Sequence, residues 1–518
     1  MFWLFLSAFL GIFSSRVPAL CWLGLVAFVP VLSTLEGKSW KIWMFKGAAL
    51  FFLIALGGYY WIYYVAHDFG GLPAIPSLAA VPVFALMNCW QGFFGFALFG
   101  WLKNRVRVPP GILFALCMTV ALHQIPCIFH WDVSVWIRSW TPLIQSLDLF
   151  GSFGLDFFIL WFNYEMGLSL RGAIATKQSP EKTGLLRSLW SLAMTARTPL
   201  LLLLLLNLYG FYRLHTLSAQ MEQAPKIRAL LVQPNIDSGE KRDPRFAAGS
   251  LGYLIGLTDK ALQTSSADLI VWPESIFPLS YRYDRAVQKN LQEAVERWHA
   301  PLLFGSDDYQ NQNSRLVPYN AAFFVEPGRA ESQKYRKHVL LAFGEYIPLE
   351  ATFPKIRTWL PPEIGNFGRG RGVTILQTEK FRFNPLICYE SIDHDYMRAN
   401  AGTSADFMAE ISNDGWYYQS SALLYHNNLA ALRAVENRVG LLRDTNTGIT
   451  NYIDPLGREH GVLPLEQAAV SFEDVPLYRP YSFFTHFGYL LQPFAVVLLL
   501  FLSVWSLLPA RKSAFQKP

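Results

Sequence analysis

The sequence predicts a polytopic α-helical membrane domain of eight spans joined to an external α/β layered domain, and three observations lead there. The first is composition: of 518 residues, 52% are hydrophobic, 15% aromatic and only 16% charged, with a mean hydropathy of +0.23. A soluble domain is about a quarter charged, so a large share of this chain is built for lipid. The second is distribution. The apolar excess lies in residues 1–215 and 480–518, while 216–479 has the balanced composition of a globular domain. The third is the way basic residues alternate between loops.

Runs of roughly 17 to 25 apolar residues are long enough to cross a bilayer. Eight occur, at about 2–14, 17–35, 44–66, 79–102, 111–129, 149–170, 198–214 and 482–509. Short cytoplasmic loops are enriched in Lys and Arg. Lys38, Lys41 and Lys46 mark one connection, Lys103, Arg105 and Arg107 another, Arg171, Lys177, Lys182, Arg187 and Arg197 a third, and Arg511, Lys512 and Lys517 the tail. The intervening short loops hold only Arg16 and Arg138. Both termini are therefore expected in the cytoplasm, with residues 216–479 in the periplasm of a bacterial-type cell and the spans in its inner membrane. An enzyme placed there draws on the energy of its substrates rather than on ATP or reduced nicotinamide. The net charge of +6 follows loop position rather than forming a patch, and no nucleic-acid partner is expected. The first apolar run lacks a basic start and has a large Leu20 before Cys21, so it is read as a retained span and not a cleaved signal.

Within the membrane part, Ala66–Ser77 reads as a surface turn, and the stretch from His130 to Ser146, with Trp131, Trp136 and Trp140, as an interfacial aromatic segment. Both serve as anchors or as the floor of a lipid-facing cavity. Asp156 and Glu165 sit in or near the sixth span, where an ionisable group marks either a functional site or a helix–helix hydrogen bond. The external domain alternates strands and helices. Strands are expected at Lys226–Ile236, Ala267–Glu274, Pro301–Gly305, Asn320–Glu326, Phe383–Tyr389 and Phe407–Ser412, and helices at Thr258–Ser266, Gln288–His299 and Asn427–Val439. That pattern predicts layers with buried sheets, and chemistry at strand ends where loops expose it.

Four of the five cysteines, Cys21, Cys89, Cys117 and Cys127, lie in the first 130 residues; Cys388 stands alone at the end of an apolar strand. A lone thiol there is either a small buried hydrophobe or a nucleophile. Two other apolar strands end on reactive side chains: Trp272-Pro273-Glu274-Ser275, and Tyr335-Arg336-Lys337-His338 followed by Phe343-Gly344-Glu345-Tyr346. A thiol needs a base, which Glu274 supplies, and attack on a carbonyl builds an oxyanion that Lys337 and a backbone N–H near Tyr389 would stabilise. Glu345 would hold Lys337 charged, and Glu390 is a candidate for similar work. Asn320 and Asn413 are turn residues or site groups, and Trp416 belongs to the same segment as Asn413. His338 and His426 admit a triad reading without a companion cluster. No spacing of His and Cys suits a metal, and no cofactor is expected.

The ordered set of Glu274, Lys337 and Cys388, with Gln233-Pro234-Asn235 before it and Ser412-Asn413-Asp414-Gly415-Trp416 after it, resembles the nitrilase superfamily; with eight flanking spans the chain resembles the apolipoprotein N-acyltransferases in particular. The resemblance implies a nitrilase-like αββα sandwich, a Glu-Lys-Cys triad, and acyl transfer from a phospholipid through a Cys388 thioester. The acceptor it implies is the α-amino group of a diacylglyceryl-modified amino-terminal cysteine on a lipoprotein. Two positions depart from the pattern: Val339 stands where similar chains have His, and Ala342 where they have Pro. Phe353–Leu360 is apolar enough to dip into the bilayer as an arm over the site, or to pack in the core. The Phe367–Gly372 stretch, with Arg369 and Arg371, is a solvated turn or a contact for lipid phosphate. The alternatives to acyl transfer are a membrane-tethered amidase of the same superfamily and a non-enzymatic membrane scaffold.

Overall fold

The structure, a computed structural model, describes residues 1–129, 131–177, 197–237, 244–275, 277, 279–312, 314–360 and 364–508. Lys182, Arg187, Arg511, Lys512 and Lys517, five of the basic residues expected in the cytoplasm, lie outside the described residues.

Among the described residues, four helices are long and apolar enough to cross a membrane: Trp40–Gly58, Ala74–Leu102, Arg197–Gln223 and Phe483–Trp505. The other expected spans coincide with the helices Phe2–Arg16 and Pro110–Gln124, the 3-10 segment Pro18–Val26 with Val29–Leu32, and Leu147–Lys177. A 15-residue α-helix reaches only about 22 Å, less than the ~30 Å hydrocarbon core, so length and hydropathy single out four of the eight expected spans among the described residues. Proline sets the short limits. Pro110 opens one helix, and Ile125, held extended at ψ 117° before Pro126, closes it. Leu147–Lys177 bends at Gly151, where φ is +62° and a Cβ would meet the Phe484 ring at 2.2 Å.

The stretch read as an interfacial belt packs inside instead. Trp131, Val133, Trp136 and Ile137 are buried, because the segment folds back among the membrane helices, Trp136 against Gly11, Gly24 and Phe28 and Trp131 against Phe51 and Gln91. Only Trp140 is half-buried, donating to Asn207 at 2.9 Å. Asp156 accepts from the Ser134 amide at 2.6 Å and pairs with His123 at 3.1 Å, and Glu165 accepts from Trp161 at 3.2 Å. Of the two readings given to these carboxylates, both side chains are seen in hydrogen bonds within the helical part.

The second domain contains twelve strands: β1 Lys226–Gln233, β2 Leu269–Val271, β3 Leu302–Gln312, β4 Arg315–Val325, β5 Gln333–Arg336, β6 Leu376–Gln377, β7 Arg382–Ile387, β8 Phe407–Ser412, β9 Leu441–Thr445, β10 Asn451–Ile453, β11 Glu459–His460 and β12 Ala469–Pro476. They form two six-stranded sheets, ordered β12-β1-β2-β3-β4-β5 and β11-β10-β9-β8-β7-β6. In each, three parallel strands (β1, β2, β3 and β7, β8, β9) form the centre and antiparallel strands the flanks.

Alternation along the strands makes the layers. Ala229, Leu231, Leu269, Val271 and Leu303 face the second sheet's Phe383, Ile387, Phe407 and Ile411. Their neighbours Leu230, Val232, Ile270 and Leu302 face Leu251, Leu254, Val287 and Leu291 on the helices Ala247–Leu262 and Arg285–Trp298. Helix Ser421–Asn437 covers the other sheet, giving the expected αββα order.

That helix is apolar on both sides because membrane helices pack on its far face. Its charges are buried and paired there. Arg433 binds Asp132 and Glu436, each at 2.8 Å, and Arg438, just beyond the helix, binds Asp148 at 2.9 Å and the Gln145 carbonyl at 2.8 Å. Removing one partner leaves buried polar groups unmatched. Arg438→Met is therefore expected to destabilise the protein by about 3 kcal/mol, read as a lowered Tm in detergent. Arg297→Met, whose partner Asp259 is on the surface, should change Tm little.

Candidate active site

Three strand ends converge where the two sheets meet. Glu274 follows β2 after Trp272-Pro273 and is buried. Its turn fits only because residue 305 on β3 is glycine: a Cβ at Gly305 would lie 2.5 Å from the Ser275 nitrogen and 2.7 Å from the Glu274 Cα. Backbone cannot rotate aside, so Gly305→Ala is expected to shift the carboxylate. Misplacement by about 1 Å costs on the order of 100-fold in rate. Gly249→Ala, where a Cβ meets nothing within 4 Å, is the control.

Lys337 follows β5, is 2% exposed, and anchors its amide on the Asn320 carbonyl at 2.8 Å. Its Nζ donates to Glu345 Oε1 at 2.9 Å and lies 3.9 Å from Glu274 Oε1. Asn320 joins the two carboxylates, its Nδ2 donating to Glu274 at 2.6 Å and to Glu345 at 3.0 Å. The other Glu274 oxygen accepts from the Asn413 amide at 2.9 Å, and the other Glu345 oxygen from the Leu341 amide at 2.9 Å. Burial works against the charge on Lys337, but Glu345, Cys388 and Glu274 outweigh it and raise its pKa, so the ammonium is permanent.

Cys388 ends β7 and begins the 3-10 turn Cys388–Ile392 with φ +54°. A non-glycine residue takes that left-handed conformation only when its surroundings impose it. Here the Cys388 carbonyl accepts from Ser391 at 3.2 Å, and Glu390 Oε2 accepts from the Ile387 amide at 2.8 Å. Burial pushes the thiol pKa well above its ordinary value, Glu274 adds to this, and Lys337 opposes it. The resting group is thus a thiol, beside a carboxylate that can take its proton. The four other cysteines are free thiols among the membrane helices and their connections.

Glu390 favours the charge on Lys337, as expected, and has a second task besides. It is fully buried, and its Oε1 accepts from the Tyr335 hydroxyl at 2.6 Å and the His338 and Val339 amides at 2.7 and 2.9 Å. It ties the Lys337 segment to the Cys388 turn rather than bonding Lys337 itself. Burial pushes its pKa up to about 7, against Lys337 and these donors. The departure at Val339 is harmless to this clamp, because only the backbone N–H is used.

Tyr389 is buried and its hydroxyl donates to the Ile128 carbonyl of the membrane part at 3.1 Å. Trp416 stacks on Phe69 at 4.4 Å, so it joins the Ala66–Ser77 connection to the sandwich. His338 bonds the Gly370 carbonyl at 2.8 Å and stacks on Tyr396, which removes it from a triad. His426 lies between Ser391 at 3.3 Å and Asp414 at 3.1 Å, bracing the Cys388 turn against the Asn413 loop. Sequence reasoning found no partner for it, since Ser391, Asp414 and His426 sit on three separate elements. Tyr335 was missed too, although it lies two residues before Lys337, the interval that returns a strand to the same face.

Gly368 and Gly370 donate to the Pro318 and Lys337 carbonyls at 2.7 and 2.8 Å, so the backbone of this stretch backs Lys337 while Arg369 and Arg371 are exposed. Phe353 is 61% exposed, which excludes core packing for that side chain. One group of metal-type ligands occurs among the described residues, His123, Asp132 and His394, within 4.8 Å of one another. Arg433 lies against His394 and donates to Asp132 at 2.8 Å, so a guanidinium already supplies positive charge there.

A narrow apolar cavity reaches Cys388. Tyr389, Ile392, Tyr417 and Tyr425 line it from the sandwich, and Trp61 and Phe129 from the membrane part.

Known proteins that match along most of the chain are apolipoprotein N-acyltransferases by name. The model of the apolipoprotein N-acyltransferase N-terminal domain matches residues 7–164, and that of carbon-nitrogen hydrolase residues 218–479. The chain is 31% identical over 496 residues to the apolipoprotein N-acyltransferase of Geobacter metallireducens, covering 93% of this chain and 90% of the relative. It is 30% identical over 479 residues to that of Bdellovibrio bacteriovorus, covering 87% and 83%. A nitrilase-superfamily amidase from Nesterenkonia AN1 aligns with 49% of this chain and 93% of its own, at 17% identity and a TM-score of 0.37. On the match along nearly its whole length, the chain belongs to the apolipoprotein N-acyltransferase family, multi-pass membrane proteins with a carbon-nitrogen hydrolase domain.

Proposed function

We propose that the protein transfers an acyl chain from a phospholipid, through a thioester on Cys388, to the α-amino group of the diacylglyceryl-modified amino-terminal cysteine of a lipoprotein. The observation that carries this reading is the cavity at Cys388, whose wall is closed on the sandwich residues by Trp61 and Phe129 of the membrane part. A small soluble amide needs no such wall; an acyl chain does.

Glu274 takes the Cys388 proton as sulfur attacks the ester carbonyl. The oxyanion is received by Lys337 and by the leading amides of the Cys388–Ile392 turn, that of Tyr389 among them. The carbon–oxygen bond breaks, Glu274 returns the proton to the glycerol oxygen, and lysophospholipid leaves. The acceptor amine then attacks the thioester, Glu274 receives a proton from it, the carbon–sulfur bond breaks and the thiol reforms. Glu345 and Asn320 fix Lys337 and Glu274 throughout, and Asn413 holds the second Glu274 oxygen. Water must be kept out between the two steps, or the thioester hydrolyses.

The same reading takes all eight apolar segments as spans, with residues 1–215 and 480–518 in the inner membrane or its cytoplasmic margin. Residues 216–479 are then periplasmic and both termini cytoplasmic, as the basic loops imply. Phe353, with Leu349, would rest on the bilayer surface beside the site.

The test is a transfer assay with purified protein, phospholipid and a synthetic diacylglyceryl-cysteinyl peptide. The expected product is the peptide one acyl chain heavier, amide-linked at its amino terminus. Release of free fatty acid with the peptide unchanged would contradict acyl transfer and favour a hydrolase.

A further inference from the structure

We propose that Arg16 binds the phosphate of the donor phospholipid, an inference that rests on the acyl-transfer reading above. Arg16 and Arg138 are the two basic residues in short connections expected on the side where cations are scarce. Arg138 is accounted for, since it donates to the Gly457 carbonyl at 2.5 Å and pairs with Glu459 at 3.1 Å. Arg16 is different. It ends the helix Phe2–Arg16, is exposed, and among the described residues has no carboxylate partner. Both its hydrogen bonds come from one nitrogen: Nη2 donates to the Gly57 carbonyl at 2.9 Å and to Ser421 Oγ at 3.3 Å, with the Tyr60 ring 5.6 Å from the guanidinium carbon.

Those contacts hold the guanidinium in place and leave Nη1 and Nε for a bidentate partner, the geometry in which arginine binds phosphate. A helix C-terminus favours a cation anyway. It does not explain why this one stands at the rim of an apolar cavity of about 60 Å³, lined by Ile12, Ile54, Val135, Trp136, Leu424 and Tyr425. Tyr425 also lines the cavity at Cys388. Ser421, which touches Arg16, precedes Tyr425 by four residues, one turn or about 6 Å along the same helix. A cation at the rim, a nucleophile beyond one tyrosine and an apolar lining in both cavities suit the phosphate, ester and chain of a single glycerophospholipid, bonded in that order.

The experiment follows acyl-enzyme formation in detergent micelles against the concentration of dioleoyl phosphatidylglycerol, for the full-length protein and for Arg16→Gln and Arg16→Lys. Loss of a charge-assisted contact is expected to raise the half-saturating lipid concentration about tenfold in Arg16→Gln while the plateau rate stays within about twofold, with Arg16→Lys between the two. An unchanged half-saturation, or a lowered plateau alone, overturns the assignment. Lipid binding to Cys388→Ala and to Arg16→Gln/Cys388→Ala protein, counted by native mass spectrometry, reads the site without any chemistry. Weaker binding in the double variant supports the assignment and equal binding overturns it, even if the wild type forms no acyl-enzyme and the acyl-transfer reading itself fails. Inorganic phosphate at millimolar concentration is expected to compete poorly. Competition equal to that of the lipid would make this a free-anion site and overturn the lipid assignment.

Discussion

Glu274→Gln is expected to slow acyl-enzyme formation about 10³-fold, within the range of 10²–10⁴ assigned to a positioned general base, while making Cys388 easier to ionise. The two effects have opposite signs because Glu274 acts on the thiol in two ways. As a charge it disfavours the thiolate, and with burial it holds the thiol pKa well above its ordinary value. As a base it accepts the proton during attack. Amidation removes both. Alkylation by iodoacetamide reports ionisation alone. In the wild type its rate should still be climbing at pH 9, since a raised pKa leaves little thiolate below that. In Glu274→Gln the same curve should move to lower pH by about one unit, the scale of a neighbouring charge. A shift to higher pH, or acylation at the wild-type rate, would remove Glu274 from the role of base.

Lys337→Met should cost as much or more, on the order of 10³-fold, because loss of an oxyanion donor alone is worth about 10²–10³ and the thiol loses its stabilising cation as well. The direction of the alkylation curve is now reversed. Lys337 pulls the Cys388 pKa down, so its removal moves the curve to higher pH. Glu345 and Glu274 are left facing each other through Asn320, their ammonium partner gone. A variant that alkylates as the wild type does would show that Lys337 does not act on the sulfur.

Much of the sandwich was legible because its central strands are unbroken apolar runs, as in Leu230-Leu231-Val232 and Leu269-Ile270-Val271. The hairpin of β3 and β4 was read as two short pieces, since Ser306–Gln312 is polar. Its hydrogen bonds are satisfied by pairing of the two strands along all eleven residues, not by burial. Helix Ala247–Leu262 was expected to begin near Thr258. Gly249, Gly252 and Gly256 lower its local propensity, which packing of Leu251 and Leu254 overrides. Eight apolar segments yield four helices that are both long and apolar enough to span among the described residues; Leu147–Lys177 is long enough but is not one of them, and Phe2–Arg16 and Pro110–Gln124 have 15 residues each.

At the site, chain order alone marked Glu274, Lys337 and Cys388, because each sits at a strand end and strand ends are visible in sequence. Of the residues that hold them, Glu345, Asn320 and Asn413 were already candidates in the sequence, whereas Tyr335 and the bracing of the Cys388 turn by Ser391 and His426 were not visible. Glu390 was read as a second support for Lys337, whose pKa its charge does raise, but its four donors from Tyr335, His338, Val339 and Ile387 left no local trace. Trp416 was grouped with the site by its neighbours, and the contact of its ring with Phe69 was not foreseen. Contacts of that kind depend on how the sheets meet and how the sandwich sits on the membrane helices, which no local pattern records.

The central claim is the thioester on Cys388, and intact mass spectrometry of the purified protein after incubation with phospholipid tests it most directly. The account predicts a gain of one acyl chain on the wild type, removed by hydroxylamine and absent from Cys388→Ala. An adduct of the same mass on the Cys388→Ala protein, or no adduct on the wild type, would contradict it.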